Sequence, residues 1–293
     1  MSMQAALATV LVNDQARREL RTHPAILQQR FALTDEELAL LLSVDPARLE
    51  LTTQIGRAKR LDFLKRGIPA TIDMLCLFGK ANLLSEFVRG CPDIVGTENS
   101  RILVESRRFR QYLDSTAADA VIAAVRSLVA LELARLELLN SNEAALWLRQ
   151  TTSTEEFRSR LQHDREFVIA GWLRLGRNVR VEAFQHDVLE LFNAVRAGVQ
   201  PDLSNNPIHL TLVRCLRRPW ITLHRTGSEL AAMLLFCMQP RPVTEVLALA
   251  NSYDEQRRIN ALRQALLEGI LLFTDKNPDG NDAANNSLCE SVR

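Results

Sequence analysis

The sequence predicts a mainly α protein with a small α+β part: an N-terminal helical domain followed by a C-terminal winged-helix domain, a strand hairpin plus three helices. Three observations carry this. Before about residue 165, apolar residues recur at helical spacing behind capping signals, and no strand-like alternation stands out. After residue 204, two runs rich in β-formers lie close together. Three helix patterns follow them within one short segment. A length of 293 residues suits two domains, and 47% apolar with 24% charged residues suits a sizeable core.

In order along the chain, Met3 to Val12 reads as a short helix, which Asp14 to Leu20 continues. Thr34-Asp35-Glu36-Glu37 is a capping box ahead of Leu38, Leu41 and Leu42. Asp45-Pro46 opens a further helix, with Asp as cap and Pro in the first turn. That helix carries Leu49, Ile55, Leu61 and Leu64, with Arg57, Lys59, Arg60, Lys65 and Arg66 between them. These charges mostly fall off the apolar stripe and read first as a solvated face. The sharper alternative is a docking surface for an acidic partner or peptide. Gly67-Ile68-Pro69 breaks the helix. Helices follow over 70–78, 81–88, 101–113 and 117–139, with Thr116 and Asp119 placed to cap the last. Residues 90–100 are rich in turn formers.

Residues 1–150 thus read as a helical domain, and 151–204 as a connecting region. Thr152 and Glu155 pair as a capping box there, residues 178–184 begin with strand-like alternation, and 187–195 form a short helix. His209 to Arg214 and Trp220 to His224 are the strands of the C-terminal domain, 205–273, turned by Arg217-Arg218-Pro219. Thr226-Gly227-Ser228-Glu229 is a capping box for its first helix, and Pro242 opens the second. Ser252 and Glu255 cap the third, which runs to about Phe273. The polar tail 274–293 is expected to be disordered.

Net charge is +1, which argues against nucleic acid as partner. Cys76, Cys91, Cys215, Cys237 and Cys289 form no CxxC pair and read as free thiols, mostly packed as small apolar groups, of a reducing compartment. The N-terminus lacks a basic flank and a cleavage site, and residues 117–139 carry Asp119, Arg126, Glu132, Arg135 and Glu137. No membrane span is expected, and a cytoplasmic location is. None of the five histidines pairs with another at zinc-helix spacing, and no phosphate-binding or nucleophile motif occurs. A non-catalytic role is favoured, with no catalytic, cofactor or metal residue in this chain.

A small unit of strands and three helices serves two common tasks: placing a helix in the DNA major groove, or adding an extended peptide to a strand edge. Residues 205–273 hold eight arginines against five acidic residues, a net of only +3, and Asp254 and Glu255 at the start of the third helix would repel phosphates. Peptide binding is favoured.

Three runs then carry a resemblance. They are Trp220-Ile221-Thr222-Leu223-His224-Arg225-Thr226-Gly227-Ser228-Glu229-Leu230, Arg241-Pro242-Val243-Thr244-Glu245-Val246, and Leu266-Leu267-Glu268-Gly269-Ile270-Leu271. Together they resemble the RiPP recognition element, the winged-helix module related to the pyrroloquinoline quinone peptide chaperone, departing from it by His224-Arg225 before the Thr-Gly turn. In the N-terminal half, THPAILQQRFALTDEELALLLSVDPARLE and RAKRLDFLKRGIPATIDML are similar to partner subunits of multinuclear non-heme iron oxidases of the methanobactin and 3-thiaglutamate type. The resemblance implies a non-catalytic subunit. It would bind the leader of a ribosomally made precursor peptide and present it, as a heterodimer, to an iron-dependent oxidase that modifies a cysteine residue. The iron would belong to that enzyme. The expected peptide site is the strand Trp220, Ile221, Thr222, Leu223 and His224, with Arg257, Arg258, Ala261, Leu262 and Ala265 lining the helix side of a groove. Leu262 and Ile221 read equally well as plain core. The rival readings are a winged-helix transcriptional regulator and a free-standing helical enzyme.

Overall fold

In a computed structural model, residues 3–91, 100–144, 159–160, 163–215, 220–249 and 255–274 are described. The predicted turns at 92–99 and 216–219, the Thr152–Glu155 box, the Ser252 cap, Cys289 and the tail from 275 onward lie outside them. The architecture is mainly α with a small β part, as predicted. The chain divides into two compact units, Met1–Leu133 with Val188–Leu203, and Ala134–Asp187 with Ser204–Arg293.

The first unit contains helices α1 (Met3–Val12), α2 (Asp14–Thr22), α3 (Pro24–Phe31), α4 (Asp35–Ser43), α5 (Pro46–Gly67), α6 (Pro69–Leu77), α7 (Asn82–Gly90) and α8 (Arg101–Ser115). It also takes the first part of α9 (Ala120–Asn140) and, from later in the chain, α11 (Val188–Arg196). The second helix is not a continuation of the first. Asn13 interrupts them, its side-chain oxygen accepting from the amides of Gln15 at 2.8 Å and Ala16 at 3.1 Å. The Thr34–Glu37 capping box forms in both directions, and Asp45 caps α5 through Ala47 N–H at 2.9 Å. Asp119, rather than Thr116, caps α9 by accepting from Ile122 N–H. Ala6, Val10, Ala16, Leu20, Leu27, Phe31 and Leu41 form one apolar cluster.

The basic run of α5 does not lie wholly in solvent. Arg60 is only 5% exposed and is bound by Glu105 Oε2 at 3.1 Å, Glu105 itself being 2% exposed. The same guanidinium donates to the carbonyls of Val88 at 3.1 Å and Cys91 at 2.7 Å and lies over the Phe87 ring. Long-range partners thus override the helical stripe at this position. Glu132 is a second buried charge. It accepts from Ala70 N–H, Thr71 N–H and Thr71 Oγ at 2.7–2.9 Å and so caps α6, whose own preceding residue, Ile68, has no capping side chain.

The second unit contains the end of α9, α10 (Arg165–Ile169), β1 (Trp172–Leu175), β2 (Val179–Phe184), β3 (Ile208–Arg214), β4 (Ile221–Thr226), α12 (Ser228–Phe236), β5 (Arg241–Pro242), α13 (Val243–Ala248), α14 (Glu255–Leu267) and β6 (Leu271–Thr274). There are two antiparallel sheets, ordered β5-β1-β6 and β2-β3-β4. The expected hairpin is therefore the outer pair of a three-stranded meander, and β1 and β2 come from the region expected to be a connector. Leu173, Val213, Met233, Leu234, Val246, Ile259, Leu262 and Ile270 share one apolar core.

Two expectations fail here for local reasons. The third helix stops at Leu267 instead of Phe273, because Gly269 takes φ +71° and Ile270 N–H bonds back to Ala265 O at 2.8 Å. The freed residues become β6, paired along β1 from Leu271↔Leu175 to Thr274↔Trp172. The Thr226 capping box does not form: Gly227 is the cap residue and supplies no side chain, while Thr226 Oγ is bound to Thr211 Oγ at 2.7 Å. No helix among the described residues is long and apolar enough to cross a membrane.

Candidate peptide-binding site

The β2-β3-β4 sheet ends at β4. Among the described residues β4 pairs with β3 alone, from Arg214↔Ile221 to His209↔Thr226. An edge strand turns half of its main-chain N–H and C=O groups away from its partner, where an added strand can take them up. Cys215 N–H donates to Trp220 O at 3.2 Å, which closes the connection from β3 and fixes where β4 begins.

The register sorts the predicted strand residues onto two faces, since directly opposed residues share a face. Thr222 and His224 lie opposite Val213 and Thr211, on the face whose inner part, Val179, Val181 and Val213, packs with Met233 and Leu234 of α12. This outer lane is polar and hydrogen-bonded: Thr222 Oγ donates to Val213 O at 3.3 Å, and His224 Nε2 lies 3.2 Å from Thr222 Oγ. Ile221 and Leu223 lie on the other face, opposite Arg214 and Leu212. Both are half-buried, and Trp220, just before the strand, is 49% exposed. On that face Arg225 is paired with the buried Asp187, and Arg214 donates to the carbonyls of Leu138 at 3.2 Å and Ser141 at 2.9 Å.

The helix side of the predicted groove is different from the expectation. Leu262 and Ala265 are core residues, 0% and 3% exposed, because three- and four-residue spacing puts them on the buried face with Ile259 and Leu266. Arg258 is half-buried and donates to Leu247 O at 2.6 Å, so one of its N–H groups serves the end of α13. Arg257 is exposed and Ala261 half-buried. The helix α14 packs against α13 and β6. The structure thus brings Trp220, Ile221, Thr222, Leu223 and His224 together along one edge, whereas Leu262 and Ala265 face inward from another layer. The polar neighbours His209, Thr211 and Thr226 were missed. Alternation within each strand marks their face, but only the pairing register sets them beside Thr222 and His224.

Burial pushes the Cys237 thiol up to about 12, leaving it protonated and inert. Cys76, by contrast, is exposed. Burial holds His186 below the ordinary histidine range, so it is neutral near pH 7. Among the described residues no three His, Cys, Asp or Glu side chains are grouped so as to hold a metal ion. Compared with known proteins, the chain matches no family model and no curated sequence.

Proposed function

We propose that this chain is the non-catalytic, cytoplasmic partner subunit of an iron-dependent oxidase, and that it binds the leader of a ribosomally made precursor peptide as an added strand along β4. The observation that carries the reading is the edge position of β4 together with its side chains. A leader strand there has its side chains alternating between two surfaces. One set meets Ile221 and Leu223, which are apolar. The other meets Thr222 and His224, which are polar. Trp220 is a large exposed anchor at the entrance, the kind of residue that dominates peptide interfaces. On the helix side Arg257 is exposed and Ala261 half-buried, whereas Arg258 is engaged with Leu247 O. The main-chain edge therefore supplies most of the affinity.

The first unit is the proposed docking body for the oxidase, which would hold the iron and modify a cysteine of the presented peptide. Large apolar side chains are exposed there, including Leu40 of α4 and Leu51 and Ile55 of α5. Tethering leader and enzyme on one chain raises the local concentration of the cysteine without any new chemical group.

Co-purification with the neighbouring gene products tests the class, with capture of an iron protein and a short peptide as the expected result. Titration of the full chain with that peptide, followed by hydrogen exchange, tests the site. The expected outcome is protection of 221–226 and at least a tenfold weakening in Trp220→Ala/Leu223→Ala. Protection confined to other segments, or no peptide bound at all, overturns the reading. A steep salt-dependent affinity for random duplex DNA would instead establish the regulator alternative.

A further inference from the structure

The first unit holds a cleft of about 380 Å³ lined by Asp14, Arg17, Arg18, Arg21, Glu50, Arg57 and Arg89. Three helices build it: α2 supplies Asp14 and three arginines, α5 supplies Glu50 and Arg57, and Arg89 comes from the last turn of α7. Arg17 and Arg21, four apart, share one face of α2.

The two carboxylates in the cleft are already committed. Asp14 binds Arg17 and accepts from Arg57 at 2.7 Å, and Glu50 lies 3.6 Å from Arg17. Arg17 also donates to Thr53 Oγ, whose single hydroxyl proton is shared between Leu11 O at 2.6 Å and Leu49 O at 2.9 Å. These bonds fix Arg17 and Arg57 as a rigid floor. Arg18, Arg21 and Arg89 are exposed and make no ion pair among the described residues. Arg57 Nε is buried and has no acceptor among them either. Burial, and then the nearby charges of Arg57 and Arg21, lower the Arg17 pKa, against the opposing pull of Glu50.

Five guanidiniums against two carboxylates is an arrangement that folding alone disfavours, since like charges at close range repel. Guanidiniums held on helices and pointed to one cleft match the planar, multidentate geometry of carboxylate and phosphate oxygens. We infer that this cleft is a binding site for a multiply charged oxyanion, of carboxylate or phosphate chemistry, with Arg18, Arg21 and Arg89 as the ligand-contacting cations and Arg17 and Arg57 as the fixed floor. It is separate from β4 and independent of the peptide reading.

The chemistry has two natural sources, the side chains of an acidic peptide segment and a free phosphate compound. The test titrates the full chain at low ionic strength with inorganic pyrophosphate and, separately, with acetyl-tetraglutamate amide. Expected is saturable one-to-one binding of at least one probe, weakened tenfold or more in Arg18→Gln/Arg21→Gln/Arg89→Gln. The triple variant removes no described ion pair and should keep the wild-type circular dichroism. Binding of pyrophosphate alone points to a phosphate compound, of the peptide alone to an acidic segment, and of both to the shared chemistry. The variant Lys65→Gln/Arg66→Gln/Arg110→Gln removes the same charge elsewhere in the unit and should bind as wild type. No saturable binding of either probe overturns the site, as does equal weakening by both triple variants.

Discussion

The two units differ in how far their interiors rest on charge. The helical unit buries it: Arg60 with Glu105, Glu132 on the end of α6, and Arg17 among Asp14, Glu50 and Thr53 are structural parts of its interior. The second unit is assembled around an apolar cluster, with Asp187 paired to Arg225 as a buried charge, and two sheets satisfy much of its main chain. Short helices leave many unpaired amides and carbonyls at their ends, and a buried ion with several donors or acceptors satisfies them at a distance. Sheets satisfy their own backbone everywhere except at an edge. The helical unit therefore has its unmet valences in side-chain charge, at the arginine cleft. The other unit has them in main-chain hydrogen bonds at its sheet edges, of which β4 is one.

That contrast can be broken from either side. The largest effect is expected from Glu105→Ala, which leaves Arg60 buried without its carboxylate and should cost about 3–5 kcal/mol. Urea unfolding measures it, and Arg60→Leu/Glu105→Leu should recover most of the loss. If both variants lose equally, the buried pair is not what specifies this interior. Glu132→Ala removes three hydrogen bonds from one buried carboxylate and should cost roughly 3 kcal/mol. Its signature is faster amide exchange at Ala70 and Thr71, with β2 to β4 unchanged.

In the apolar unit the sensitive position is one of shape. A β-carbon on Gly171 would overlap the Cε2–Cζ edge of the Phe273 ring. Gly171→Ala should therefore destabilise by about 1–3 kcal/mol through displacement of that ring, seen as a lower urea midpoint. The smallest effect runs the other way. Ala32 ends α3 at φ 51°, a left-handed conformation unfavourable for a residue with a β-carbon. Ala32→Gly should stabilise by about 0.5–1 kcal/mol, read as a rise in melting temperature. A fall would show that the Ala32 methyl contributes packing that outweighs its strain.

The helices were legible where a local code exists. Thr34 with Glu37, and Asp45 with Pro46, bond only to residues within a turn of themselves, so their text alone identifies them. The strands read at 209–214 and 220–224 from their β-formers are found at Ile208–Arg214 and Ile221–Thr226. The interior role of Arg60 was not, because its partners lie 28 to 45 residues away along the chain. The end of the third helix was misread because Leu271, Leu272 and Phe273 are apolar in either state, and the left-handed turn at Gly269 decides between them. The strand half of the candidate site lies along one strand, as the sequence suggested. The helix half followed the resemblance, with small Ala positions and an Arg pair as its chemistry, and these could not tell the outward Arg257 from the inward Leu262 and Ala265.

By itself the sequence determined the class of architecture, the position of most helices and the two strands that carry the candidate edge. These depend on propensity and capping, whose range is four residues or fewer. Only the tertiary structure decided that β4 is an edge, that Leu262 and Ala265 are core, and that arginines from α2, α5 and α7 meet in one cleft. Edges, faces and charge clusters are relations between segments distant in the chain, and no local pattern encodes them.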